Sequence, residues 1–321
     1  MKTYQQAAPL PGTGEQARTV PRMNLLRDIR KNKYIYLMLL PVLIFYVAFH
    51  YAPMYGAIVA FKHFSPRLGI LGSPWAGLEH FRDFFEGPYF WRTFRNTVTI
   101  SFYDLIFGFP APIILALLLN ELRLAWFKKL VQTITYMPHF ISLVVICGMI
   151  KEFSGSNGLI TTIVQSLGGP KESILLLPEY FRTVFISSGI WQQVGWGSII
   201  YLAALSNIDT EQYEAARIDG ATRWKQMKHI TLPGMLPTIV ILLILNLGTI
   251  LNVGFEKIIL LYNPLTYETA DVISSYVYRI GLQELNYSFS AAVGLFNSVI
   301  NFSMVIMANW ISRKVNDTSL W

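Results

Sequence analysis

The chain has 321 residues, of which 53% are hydrophobic and only 14% are charged. Soluble globular proteins carry about 25% charged residues, and the mean hydropathy of +0.41 departs from that class in the same direction. The sequence therefore predicts a membrane protein. Its single cysteine, Cys147, permits no intramolecular disulfide, and no cysteines or histidines have metal-ligand spacing, so a disulfide scaffold and a zinc module are excluded.

Six stretches are long and apolar enough to cross a membrane as helices, which takes about 20 residues each. They are residues 34–61, 96–119, 130–150, 183–208, 237–255 and 285–312. The polar residues before them lack the early, short apolar stretch of a cleavable signal peptide. Pro110 and Pro112 predict a kink in the second span, and Pro138 predicts one in the third. A static packing kink and a kink beside a transport pathway explain these prolines equally well.

The positions of lysine and arginine orient the spans. With the N-terminus inside, the inner segments are residues 1–33, 120–129, 206–236 and 313–321. They hold 16 of the 26 basic residues and 8 of the 19 acidic ones, a net charge of +8 against −1 elsewhere. This bias predicts that both terminal tails are cytoplasmic. The scatter of the basic residues also excludes nucleic acid as a partner, because no continuous stripe could follow a phosphate backbone.

The connection between the fourth and fifth spans, residues 206–236, is long, polar and internally patterned. Asp209 or Thr210 can cap a helix that carries Glu214 in its first turn. Gly220 ends that helix or lets another backbone approach closely, and a second, basic amphipathic helix follows. Two short helices that meet at a glycine form an element that can dock into a groove on a cytoplasmic partner. An amphipathic loop lying on the lipid surface explains the same residues equally well.

The pattern of this connection resembles the EAA loop of ABC importer permeases at its full spacing. Glu214-Ala215-Ala216 is followed after three residues by Gly220 and, nine residues later, by Ile230-Thr231-Leu232-Pro233. From about residue 33 onward the chain is also similar to the carbohydrate-uptake branch, close to oligo- and polysaccharide permeases. Supporting stretches include Tyr136-Met137-Pro138-His139-Phe140 and Gly195-Trp196-Gly197. The resemblance implies that Glu214, Ala215, Ala216, Gly220, Ile230, Leu232 and Pro233 couple the chain to an ATPase.

The resemblance implies an all-α protein with the six-helix fold of a type I importer permease, in the bacterial cytoplasmic membrane. The permease domain would cover residues 34–312, between the two tails. The implied partners are a second, related permease, two cytoplasmic ATPase subunits and an extracytoplasmic binding protein that delivers a saccharide. The chain contains no GxxxxGK[ST] phosphate loop. ATP and magnesium would therefore be bound by the ATPase subunits, and this chain would hold no cofactor and no metal.

Polar residues in the fifth span are candidates for a solute path. If this span begins at Pro237, Thr249 lies about 18 Å deep and Asn252 about 22 Å deep in a hydrocarbon layer about 30 Å thick. Asn246 shares their helical face, because the three follow an i, i+3, i+6 spacing. Hydrogen bonds to sugar hydroxyls and hydrogen bonds between helices both account for such a stripe.

The fourth span adds Gln192, Gln193 and Trp196 at similar depth. Tryptophan offers a flat face on which a sugar ring can stack, and glutamine offers hydrogen-bond donors and an acceptor. Aligned on the EAA loop, the resemblance to the maltose-type permease implies that these three residues line the sugar site. It implies the same for Thr249, Asn252 and His139. A histidine at this depth is more often a packing residue than a ligand contact.

Three ionisable residues near the predicted path suggest a function. Asp104, the only acid inside a predicted span, is a proton site, a partner for a base, or a residue facing water in a cavity. Lys257 and Arg279, at the outer end of the path, would suit an acidic sugar.

Other function classes remain as alternatives. An intramembrane hydrolase would need a nucleophile with a base, paired carboxylates or metal ligands, and the sequence has no HExxH, no GxSG and no pair of aspartates within the spans. A sensor or scaffold could use the same fold without transport. Within transport, a permease for an amino acid, a peptide or phosphate is the alternative to sugar uptake.

Overall fold

The computed structural model describes residues 30–170 and 172–316. This part of the chain consists of helices and turns and contains no strand, apart from one isolated bridge between Lys62 and Trp75. The predicted all-α class is thereby confirmed. Most of the two predicted tails, residues 1–29 and 317–321, lies outside the described residues.

The chain divides into two compact units, one ending at Gly56 and the other beginning at Ala57. In the first unit, α1 (Lys33–Tyr46) is followed by a π-helical turn, Val47–Tyr51, and a short helix, Ala52–Met54. The main described helices of the second unit are α2 (Glu79–Glu86), α3 (Phe90–Tyr103), α4 (Pro110–Glu121), α5 (Ala125–Tyr136), α6 (Leu143–Phe153), α7 (Leu159–Ser166), α8 (Pro178–Ser206), α9 (Thr210–Ile218), α10 (Arg223–Gln226), α11 (Leu232–Leu247), α12 (Phe255–Leu261), α13 (Ile273–Tyr278) and α14 (Tyr287–Asn316).

Four helical stretches within the described ranges are long and apolar enough to cross a membrane. They are Lys33–Phe61, Phe90–Glu121, Arg223–Leu247 and Tyr287–Lys314. A fifth is added if the bent pair Ala125–Phe140 and Leu143–Phe153 counts as one span. Helix α8 has 29 residues, a sufficient length, but Gln192 and Gln193 lower its hydropathy. The six predicted spans therefore do not all correspond to an apolar helix of spanning length.

The second and third predicted spans are both irregular at their prolines. In the second span a π-helical turn, Asp104–Gly108, separates α3 from α4 and directly precedes the helix that Pro110 begins. In the third span the break is larger than a kink, because the two helical pieces on either side of residues 141–142 meet at 100°. Pro138 lies in a 3-10 turn just before this bend. The third span is therefore a broken helix.

The fifth predicted span is wrong at its outer end, because α11 stops at Leu247 and not at Phe255. The Ser101 hydroxyl donates to the carbonyl of Ile250, and the backbone N–H of Leu251 donates to Asn301 Oδ1 at 3.2 Å. Side chains from other helices thus satisfy backbone groups that a continuing helix would have satisfied itself. This is the condition under which irregular backbone is tolerated at membrane depth.

Helix α8 lies at the centre of the second unit. One buried apolar cluster joins it to α4 and α11 through Ala116, Tyr201 and Met235. Another joins it to α3, α6 and α12, and contains Phe185 and Ile258. Because α8 packs on both sides against protein, Gln192 is buried between helices, whereas the next residue, Gln193, is exposed.

Gly195 sets the approach of α8 to α5. A Cβ atom at this position would overlap the backbone carbonyl of Thr135, so only glycine allows the two helices to come this close. The close approach places Trp196 of α8 beside His139, which follows α5.

A buried ionic network lies in the connection between α12 and α14. Asp271 is completely buried, and its Oδ2 accepts hydrogen bonds from Arg92 Nη2 at 3.0 Å and Arg279 Nη2 at 2.8 Å. Burial by itself lowers the pKa of the Arg279 guanidinium, but the hydrogen bond and charge of Asp271 outweigh it and raise that pKa. Asn96 of α3 donates to the Asp271 carbonyl and accepts from Arg182 of α8, which connects the network to two long helices.

Candidate functional site

The coupling segment, residues 206–236, contains two short helices that meet at Gly220, as the sequence predicts. Helix α9 begins after Asp209, whose carboxylate accepts a hydrogen bond from the Glu211 N–H at 2.9 Å. This capping bond fixes the start of the helix that carries Glu214, Ala215 and Ala216.

Gly220 ends α9 in a Schellman motif. Its φ is +73°, its N–H donates to the Arg217 carbonyl at 3.1 Å, and the Ala221 N–H donates to the Ala216 carbonyl at 2.8 Å. This pair of hydrogen bonds requires a left-handed residue at the position after the helix. Glycine adopts that conformation without the steric cost that other residues carry.

The rest of the segment connects directly to α11. Helix α10 is followed by a π-helical turn, Met227–Thr231, which contains Ile230, and α11 then begins with Leu232 and Pro233. The Tyr213 hydroxyl shares a hydrogen bond of 3.0 Å with the Thr231 hydroxyl. Helix α9 is thereby attached to the residue directly before α11.

The coupling segment exposes large apolar side chains. Ile218 is 87% exposed and Trp224 is 72% exposed, within a stretch that is otherwise polar. A cavity of about 870 Å³ lies between the segment and the end of α4. The Arg223 guanidinium forms an ion pair with the Glu121 carboxylate, at the end of α4, at 3.6 Å. Apolar side chains exposed on a charged surface are typical of a docking site. Sequence reasoning did not single out Ile218, because its exposure is not visible in the pattern.

A second cavity, called the central cavity, has a volume of about 600 Å³ and lies between α3, α8 and the residues that follow α11. Five of the seven predicted path residues line it, namely Gln192, Gln193, Asn246, Thr249 and Asn252. The interpretation of the last three as a stripe on one helix is wrong, because Thr249 and Asn252 lie beyond the end of α11. The irregular backbone nevertheless brings them to the same cavity.

Asn252 makes hydrogen bonds that support one of its two interpretations. Its Oδ1 accepts from Asn297 Nδ2 at 2.9 Å and from Asn301 Nδ2 at 3.2 Å, both on α14. The carbonyl end of this amide therefore connects helices. Its amide nitrogen has no protein partner within the described ranges and stays available to a solute. Sequence reasoning missed Asn297 and Asn301, although two asparagines four residues apart in an apolar helix are a usable signal.

The other two predicted path residues form a stacked pair outside the central cavity. The rings of His139 and Trp196 are 4.4 Å apart and nearly parallel, at 2°. His139 Nδ1 donates to Gln193 Oε1 at 2.9 Å, which connects the pair to a residue of the cavity. The structure thus places His139 in contact with both Gln193 and Trp196.

The ionisable residues of the central cavity are Asp104, Glu256 and Lys257. Lys257 is only 5% exposed, and its ammonium donates to the Phe185 carbonyl at 2.8 Å and lies 4.8 Å from the centre of the Phe185 ring. Within residues 30–170 and 172–316 no carboxylate lies within 4 Å of it. Arg279, by contrast, is held by Asp271 and does not line this cavity.

A family model described as "Binding-protein-dependent transport system inner membrane component" matches residues 102–317. Protein LplB of Bacillus subtilis (strain 168) is 44% identical over 294 residues, which cover 91% of this chain and 92% of that protein. The polygalacturonan/rhamnogalacturonan transport system permease protein YteP of the same organism is 43% identical over 301 residues, which cover 94% of each chain.

Solved structures are also similar. A chain in the crystal structure of a bacterial alginate ABC transporter in complex with an alginate pentasaccharide-bound periplasmic protein is 45% identical, with a TM-score of 0.85. The match covers 93% of this chain and 100% of that one. A second structure, of a bacterial ABC transporter involved in the import of the acidic polysaccharide alginate, is 46% identical with the same TM-score and covers 92% and 100%.

Proposed function

The chain belongs to the family of binding-protein-dependent transport system inner membrane components, and from that premise we propose that it is the permease of an importer for an oligo- or polysaccharide. In this proposal it crosses the bacterial cytoplasmic membrane six times, with both termini in the cytoplasm. Its partners are a second, related permease, two ATPase subunits and an extracytoplasmic binding protein. The ATPase subunits bind ATP and magnesium, and this chain holds neither a cofactor nor a metal.

The coupling segment is the observation that carries the proposal. Its exposed apolar residues, Ile218 and Trp224, suit a groove on a cytoplasmic subunit. The bond between Tyr213 and Thr231 attaches α9 to the start of α11. A movement of the ATPase subunits would therefore be passed to α11 as a rigid displacement.

Helix α11 connects the coupling segment with the central cavity. It begins at Leu232 and carries Asn246 to the cavity, and the 14 residues between them span about 21 Å at 1.5 Å per residue. Displacement of the first turn would thus move a residue of the cavity lining. This is the mechanical connection that alternating access requires.

The central cavity suits a saccharide. Its volume falls within the range of about 300–1,000 Å³ that is usual for ligand sites. Its lining combines the amides of Gln192, Gln193, Asn246 and Asn252 with the hydroxyl of Thr249. Amides and hydroxyls can each donate and accept hydrogen bonds, as the hydroxyl groups of a sugar require.

Co-purification followed by an ATPase assay tests this function. The chain is isolated from its native membrane, the bound subunits are identified by mass spectrometry, and ATPase activity is measured with the binding protein and candidate solutes. We expect a second permease and ATPase subunits, and activity that rises with an oligosaccharide. A complex that responds to an amino acid, a peptide or phosphate but to no saccharide contradicts the proposed substrate class. A chain that purifies without ATPase subunits contradicts the permease assignment of this complex.

A further inference from the structure

Lys257 is a buried cation with incomplete pairing. An ammonium has three N–H donors, and the protein residues described here supply one acceptor, the Phe185 carbonyl. The Phe185 ring adds a cation–π contact. The side chain is 5% exposed, so water reaches it only through the central cavity that it lines.

Such an arrangement is costly without a counter-ion. Buried charges in proteins are normally paired, because an ammonium loses its hydration when it leaves water. A leucine or methionine at this position would fill the same space at no electrostatic cost. An unpaired ionisable residue at membrane depth therefore indicates a functional site.

The carboxylates of the same cavity do not neutralise Lys257 by contact. Asp104 and Glu256 both line the cavity, and each is exposed. None of the ion pairs between described residues includes either of them or Lys257. Asp104 acts on Lys257 only as a more distant charge, so the ammonium keeps N–H donors for an anion that touches it.

We propose that Lys257 binds a carboxylate of the transported saccharide, so that the substrate is an acidic, uronate-containing one. The amides of Gln192 and Asn252 line the same cavity and can bind the hydroxyls of the same sugar. Gly189 also lines the cavity, and a Cβ atom there would lie 3.4 Å from the ammonium, which places the charge directly beside this residue of α8. This inference rests on the proposed function and names the class of its substrate.

The test compares two probes that differ only at the carboxylate, where esterification removes the charge and adds a methyl group. The complete importer is reconstituted in vesicles with its binding protein, and uptake of oligogalacturonate is compared with uptake of its methyl ester. The ratio of acid to ester uptake is measured for the wild type and for each variant with the same binding protein, so that the preference of the binding protein cancels. Assembly of each variant is checked by size-exclusion chromatography.

The variants separate charge from structure. We expect Lys257→Met to lower the acid-to-ester ratio about tenfold or more, the loss expected for one charge-assisted hydrogen bond, and Lys257→Arg to retain most of it. Asp104→Asn should raise the ratio, because it removes a negative charge from the cavity. The matched control is Lys62→Met, since Lys62 also donates to backbone carbonyls, those of Ile70 and Leu71, but lies outside the cavity. It should leave the ratio as in the wild type.

Each remaining outcome decides the question. If Lys257→Met and Asp104→Asn lower acid and ester uptake equally, the two residues are a structural pair and the inference is wrong, although the importer remains one for saccharides. Wild-type uptake of the ester without the acid overturns the inference alone. Wild-type uptake of neither, with a response to a non-sugar solute, overturns the proposed function as well. If Lys257→Met fails to assemble, Lys257→Gln is decisive, because a neutral side chain that still donates hydrogen bonds should lower the ratio, and an unchanged ratio refutes the inference.

Discussion

Replacing Asp271 by asparagine should destabilise the second unit more than any surface substitution. The Asp271 carboxylate is completely buried and accepts hydrogen bonds from Arg92, from both terminal nitrogens of Arg279, and from the Ser275 hydroxyl at 2.8 Å. Asparagine preserves the shape but removes the charge. It also places the N–H₂ donor of the amide against guanidinium groups that are themselves donors.

The expected cost follows from the burial of the partners. Removing one member of a buried ion pair costs about 3–5 kcal/mol, because the other charge stays buried and unpaired. The Arg92 side chain is 30% exposed and water can solvate part of it, whereas the Arg279 side chain is only 17% exposed. Arg279 also keeps its stacking on Tyr267, at 4.9 Å. We therefore expect a loss near the lower limit, about 3 kcal/mol, or roughly a hundredfold in the unfolding equilibrium.

Unfolding in mixed micelles with a denaturing detergent, followed by tryptophan fluorescence, measures this loss. The matched control is Glu86→Gln, which breaks the exposed pair with Arg82 and should have no measurable effect. A loss for Asp271→Asn no larger than that of the control would refute the reasoning. Adding Arg279→Leu to Asp271→Asn should recover part of the stability, because it removes the unpaired buried charge.

The pH dependence of this network has a definite sign. Burial lowers the folded-state pKa of Arg279, but the hydrogen bond and charge of Asp271 outweigh it and raise that pKa above its unfolded value. A raised pKa contributes stability that is fully present below the unfolded value and is lost only as pH rises through the folded value. The contribution of Arg279 should therefore be constant between pH 6 and 9 in the same assay.

Three further substitutions test the coupling segment, the helix packing and the cavity. Gly220→Val places a β-branched residue at φ +73°. The ATPase response to loaded binding protein should therefore fall, while the chain still inserts into the membrane. An unchanged ATPase response contradicts the coupling role. Gly195→Val forces α8 away from the Thr135 carbonyl, so the thermal stability of the complex should fall. The matched control is Gly148→Val, which should have a smaller effect because a Cβ atom at Gly148 meets no atom within 4 Å. Asn252→Leu removes the acceptor for two asparagines of α14 together with the free amide, so uptake should fall at least tenfold in complexes that still assemble; normal uptake contradicts a role in the path.

Features that depend on neighbouring residues could be predicted from the sequence. The cap, offered as Asp209 or Thr210 and found at Asp209, and the end of α9 at Gly220 both follow from local chemistry at fixed spacing, whereas α11 begins at Leu232, before the predicted Pro237. The membrane class and the all-α fold follow from composition and apolar length in the same way. The roles of these residues in coupling stay predictions until they are measured.

The end of α11 could not be predicted, because its cause is not local. The groups that satisfy Ile250 and Leu251 come from Ser101 and Asn301, which are 149 and 50 residues distant in the sequence. Apolar length alone predicted a helix that continues to Phe255. The same limit applies to Lys257 and Arg279, which are equivalent basic residues in the sequence. The structure distinguishes them, because Arg279 is paired with the buried Asp271, whereas none of the ion pairs between described residues includes Lys257.

Helix α8 contributes Gln192 and Gln193 to the central cavity, and it is a helix of spanning length that an apolar criterion does not select. Gln192 and Gln193 lower the hydropathy of α8, but neither amide needs lipid as a partner, because Gln192 is buried in protein and Gln193 lines the central cavity and accepts a hydrogen bond from His139. A helix in contact with lipid could not carry them, because nothing there would satisfy their amides. The polar residues of α8 and its central position in the fold thus have the same cause. A transport path needs polar groups, and those groups must be kept away from lipid.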